Sequence, residues 1–144
     1  MNRSALVATL AGTLFFGAAA FGLDAAMDNT RSLMSRPDHD RALASIERTT
    51  RAALAQCRDA SEAARELCRV RARAEDRIAR ADLEARYLGT VEAESNARVV
   101  RARARFEVAR SECFAPATTD RAHCLSEARN GEARAIAAAR VASL

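Results

Sequence analysis

Cys57 and Cys68 enclose ten residues, and Cys113 and Cys124 enclose ten more. The two pairs are offset by 56 residues, in a chain with no other cysteine. At that offset Ala53 meets Ala109, Arg65 meets Arg121, Ala72 meets Ala128, Arg73 meets Arg129, Asp76 meets Glu132 and Ala79 meets Ala135. Matches of alanine and arginine are cheap in this composition. Matched cysteine pairs are not, and they predict a diverged internal duplication.

Each copy reads as helix, short loop, helix. Leu43, Ile46, Thr50, Ala53 and Cys57 step by three and four, as do Val99, Ala102, Phe106, Ala109 and Cys113. Such a stripe faces a partner helix. Between the cysteines come turn signals. Asp59 or Ser61 can cap the next helix in copy one; in copy two Pro116 stops the incoming helix, and Thr118, Thr119 or Asp120 can cap the outgoing one. After Cys68 the stripe resumes through Val70, Ala74, Ile78, Ala81, Ala85 and Leu88, and after Cys124 it weakens.

Alanine abounds, aromatic residues make up 4% of the chain, and the core available is thin. All 23 basic residues are arginine, set against 19 acids for a net charge of +4. Acid-to-arginine pairs one turn apart (Glu47 to Arg51, Asp76 to Arg80, Asp82 to Arg86, Glu94 to Arg98) each support a helix by about 0.2–0.5 kcal/mol. The charges are interspersed, and stacking aromatics are almost absent, so they read as a solvated helical face rather than a nucleic-acid surface.

The fold expected is all-α: tandem αα-hairpins over 38–88 and 91–144, preceded by a linker over 21–37. Cys68 and Cys113 lie 45 residues apart, six heptads plus three, with only Gly89 and Thr90 interrupting. The expectation is a coiled-coil-like rod on one long central helix of about 65–75 Å, kinked at Gly89, in preference to a compact four-helix bundle.

Arg3 is the only charge before an uncharged run from Ser4 to Leu23, with small residues at Ala18 and Ala20. That pattern reads as a signal peptide over 1–20 with cleavage after Ala20, or as an uncleaved inner-membrane anchor formed by residues 4–23. Both place the remainder in the periplasm, and no cysteine follows the run to make a lipoprotein. Four cysteines in a small exported chain read as two disulfides, with three connectivities open. Cys57–Cys68 and Cys113–Cys124 are expected, because each pair brackets its own loop and long helices hold the pairs apart. Cys57–Cys113 or Cys68–Cys124 would demand the bundle instead.

Phe106, Val108, Ala109, Arg110 and Cys113, followed by Cys124, Glu127, Ala128 and Arg129, resemble a family of small exported alanine-rich proteins of Gram-negative bacteria. Those carry an aromatic-x-V-A-[KR]-x-x-C stretch, ten residues, then C-x-x-E-A-[KR], and are often described as cell-envelope or TolA-like on composition alone. The likeness covers residues 99–139 well and 43–85 loosely, with Thr50 at the aromatic position of copy one. The family mixes lysine in, and this chain has none. The resemblance implies an envelope location and helical hairpins, and no reaction.

No Gly-rich phosphate loop, G-x-S-x-G or H-E-x-x-H occurs. C-x10-C is not a zinc-ligand spacing. His39, between Asp38 and Asp40, reads as part of a solvated capping segment, and His123, beside Cys124, as exposed. The chain is read as no enzyme, with no cofactor, metal or nucleic-acid partner and with membrane contact only through its amino-terminal segment. The first functional expectation is a structural or protein-interaction module contacting unidentified envelope proteins, compatible with homo-oligomers. A holdase-like chaperone is the second, and a thiol-redox or metal-responsive protein the third.

Overall fold

Ser35 has an extended backbone, and its hydroxyl accepts the Asp38 N–H (3.3 Å) while donating to the Asp38 carboxylate (2.5 Å). With Pro37 in the first turn, this cap starts helix α1, Arg36–Gln56. The Ser35 hydroxyl, followed by the charge of Arg41, holds the Asp38 carboxyl below its ordinary pKa. A depressed folded-state pKa means that the carboxylate's contribution to the cap is present above the unfolded value and is lost as pH falls through the folded one. Protection of the first-turn amides of α1, taken relative to the intrinsic exchange rate at each pH, is expected to fall over that acidic range. A protection factor that does not change with pH would contradict the carboxylate's part in the cap.

The computed structural model describes residues 34–115 and 118–141. Among them are α1, a 3-10 turn at Cys57–Asp59, α2 (Glu62–Leu88), α3 (Val91–Glu112) and α4 (Arg121–Val141), with no strand. The expected signal segment, most of the linker and Pro116 lie outside the described residues. Ser61 stands at the start of α2 without a side-chain cap bond. Asp120 caps α4, its carboxylate accepting the His123 N–H at 2.9 Å.

The continuous central helix is not formed. Gly89 ends α2 in the left-handed conformation (φ 64°), its N–H donating to Ala85 O at 2.9 Å. Thr90 starts α3 at once, its hydroxyl accepting the Ala93 N–H at 3.1 Å. Two residues therefore reverse the chain, because glycine enters that backbone region without the Cβ clash that other residues meet. Gly89→Ala is expected to cost roughly 1–2 kcal/mol, read as a lower denaturant midpoint at unchanged slope. A neutral result would mean the turn does not depend on the left-handed residue.

With the reversal, α2 and α3 lie antiparallel in the most extensive helix contact of the described chain. Three ion pairs mark the register: Arg71–Glu112 (2.6 Å), Arg77–Glu107, and Arg101, whose Nη2 donates to both carboxylate oxygens of Asp82 (2.6 and 2.7 Å). α1 packs on the flank of α2 and α4 on the flank of α3, with no extensive contact between α1 and α3 or between either outer helix and the other. The helices follow one another in chain order as an up-down-up-down layer. At 1.5 Å per residue the longest, α2 with 27 residues, measures about 40 Å, short of the expected rod.

Each inner helix consequently needs two packing stripes. On α2, Ala72, Asp76 and Ala79 face Ile46, Thr50 and Ala53 of α1. Ala74 and Ile78 face Val108 and Ala109 of α3, and Ala85 faces Ala97. The expected α2 stripe is thus the one turned to α3. The fully buried side chains are almost all alanine and cysteine, with Leu83 the single large one among the described residues. Two of the four expected local ion pairs form, Asp76–Arg80 and Glu94–Arg98. In the other two the acid turns to a neighbouring helix, Asp82 to Arg101 and Glu47 to Arg80 (3.8 Å).

Candidate functional site

Alternating helix directions gather both cysteine loops at one end of the layer. The starts of α1 and α3, and the ends of α2 and α4, gather at the other. Cys57 is bonded to Cys68 and Cys113 to Cys124, with Cα–Cα separations of 5.6 and 5.7 Å. Cys57 and Cys113 are buried and their partners half-buried. In both pairs the first cysteine closes one helix and the second lies in the first turns of the next. Both thiols of each pair are consumed, and no free cysteine stands among the described residues.

The loop end also carries Phe114, 55% exposed, with the Arg121 guanidinium 5.0 Å from its ring centroid. At the far end the His39 ring packs against Tyr87, centroids 4.5 Å apart and planes tilted by 41°, with Asp40 at 3.5 Å and Glu84 at 3.6 Å from its nitrogens. His39 is therefore not a solvated residue of a capping segment: its side chain is 18% exposed and ties α1 to the end of α2. His123 is exposed.

Between α3 and α4 lies an open groove of about 610 Å³. Its apolar wall includes Ala102, Phe106, Ala128, Gly131 and Ala135, and Arg98, Arg101 and Arg105 stand along its α3 side. Glu132 also lines it, half-buried. Gly131 is a helical residue, and a Cβ built there would meet nothing within 4 Å. No close approach within this chain requires the glycine, although it costs the helix about 1 kcal/mol relative to alanine.

The groove is the feature that the sequence pattern did not single out. Two signals pointed to it: the weak stripe after Cys124 and a glycine inside a helix. The first half has a counterpart, an open groove of about 470 Å³ between α1 and α2 lined by Ile46, Thr50, Ala53, Ala72, Asp76 and Ala79, and the two grooves differ in how their acid is held. At the corresponding place in the first half, Thr50 donates to Asp76 at 2.8 Å and Arg80 pairs with the same carboxylate at 2.9 Å. Phe106, Glu132 and Ile136 occupy those positions in the second half, and a phenyl ring and a sec-butyl side chain offer a carboxylate nothing to bond.

Among the described residues no group of histidine, cysteine and acidic side chains could hold a metal ion. No described helix is long and apolar enough to cross a membrane. No protein family, curated protein or solved structure matches the chain.

Proposed function

We propose that this chain is a non-catalytic helical module of the bacterial cell envelope, exported to the periplasm, where it serves a structural or protein-interaction role. The observation that carries the reading is the pairing of all four cysteines into two loop-closing disulfides. Such bonds persist in an oxidising compartment and are reduced in a bacterial cytosol. The charge-free run from Ser4 to Leu23 behind Arg3 supports the same location. A layer of alanine-rich helices offers broad side surfaces for contact, consistent with the interaction role and with the resemblance to exported alanine-rich proteins.

Mass spectrometry of periplasmic and cytosolic fractions tests the location. A periplasmic chain beginning near Phe21 is expected, and intact Met1 in the cytosol with four free thiols would overturn the reading. Crosslinking in intact cells, followed by identification of captured envelope proteins, tests the interaction role.

The apolar groove between α3 and α4 favours a second reading, a holdase-like chaperone that cradles unfolded segments. That reading requires the purified protein to suppress aggregation of a chemically unfolded model substrate at near-stoichiometric ratio. Without suppression it fails, while the structural role stands.

A further inference from the structure

We propose that the groove between α3 and α4 is the contact surface of a two-fold homodimer, with the symmetry axis running along the groove. The inference rests on the interaction-module reading and names a partner for it, a second copy of this chain.

The register of the hairpin carries the geometry. Cys113 opposite Cys124 puts Phe106 opposite Gly131 and Arg105 opposite Glu132, since the helices are antiparallel. Both of these opposed pairs line the groove. Yet Arg105 and Glu132 form no ion pair with one another, and neither has an ion-pair or hydrogen-bond partner among the described residues. The corresponding acid of the first half, Asp76, has two partners. A half-buried carboxylate in an apolar groove is costly without a counter-charge.

A two-fold axis along the groove lays α3 of one copy over α4 of the other without changing height. Arg105 then stands over the second copy's Glu132, and the reciprocal pair forms by symmetry. At the next level Phe106 meets the second copy's Gly131, where the missing side chain leaves space for a ring. Complementary charges and a glycine that this chain alone does not need are thus explained by one contact. Stacking the copies with α3 over α3 would instead set the arginines of one ridge against those of the other.

Sedimentation velocity on the protein as purified from cells tests this. Wild type is expected to dimerise, and Arg105→Glu or Glu132→Arg alone to weaken the dimer by more than about tenfold. An equimolar mixture of those two variants is expected to form a heterodimer of wild-type affinity, because each unlike pair regains opposite charges across the interface. An ion pair within one chain could not be repaired by mixing. Gly131→Leu is expected to be monomeric with its helical circular dichroism intact. A wild type that stays monomeric at every concentration would overturn the proposal, including the case in which residues 4–33 of the same chain fill the groove. So would a dimer indifferent to both reversals, or variants that fail to re-pair on mixing. A monomer would leave the envelope-contact reading to its own crosslinking experiment.

Discussion

Replacing Cys113 and Cys124 together with alanine is expected to destabilise the protein by about 3 kcal/mol, a melting-temperature loss on the order of 10–20 °C. The magnitude follows from closing a short loop, here with a sequence separation of 11. Against a total stability of about 5–15 kcal/mol for a domain, one bond is a large share. Cys57→Ala with Cys68→Ala should cost a similar amount by the same loop length. The two losses should differ in where they appear. Among the described residues, α1 is held to α2 by the Thr50–Asp76–Arg80 cluster and the His39–Tyr87 ring contact as well as by its disulfide. α4 meets α3 largely through alanines beside an open groove, and the Ser95 hydroxyl donates to Ala139 O at 3.1 Å. Opening Cys113–Cys124 should therefore release α4 locally, and amide exchange over 121–141 should rise well before the rest of the chain unfolds. Uniform exchange across all four helices would show that α4 is held by something other than its neck.

Leu83→Ala is expected to cost about 2–5 kcal/mol with both disulfides intact. Leu83 is 1% exposed, and the other fully buried apolar positions among the described residues are alanine or cysteine. Truncating it removes the transfer energy of its methyl groups and leaves a void. Alanine neighbours are too short to fill such a void by changing rotamer. Leu88→Ala, at a site 42% exposed, is the control and should stay within about 0.5 kcal/mol. Equilibrium denaturation of the two variants separates the outcomes. A loss below about 1 kcal/mol at Leu83 would mean that the core around it is loosely packed.

Local features were readable from residue order where the physics is local. Scarce glycine and proline, abundant alanine and recurrent three-four spacing imply helices, and cysteines ten residues apart imply a neck between two of them. The stripes of α1 and α3 point at the helices that receive them, because a heptad stripe is a property of one helix. Asp120 was among the expected caps and is the one used. The ion pairs of Asp82 and Glu47 were not readable, since an acid with an arginine one turn away can bond a second arginine brought beside it by folding.

The reversal at Gly89 marks the boundary between the two kinds of information. Residue order determined four helical segments, the two cysteine loops and a weak point at Gly89–Thr90. It did not determine whether that point bends the rod or folds it. A glycine permits both a helical and a left-handed backbone, and the difference between them is within a few kcal/mol. The choice belongs to contacts made only after the turn: Ala74 and Ile78 of α2 against Val108 and Ala109 of α3, and the three ion pairs along the same seam. Those contacts join residues up to 41 positions apart, a distance over which no periodicity carries information. Folding back buries the second stripe of α2 that a rod would leave in water, and burial of apolar surface is what selects the layer.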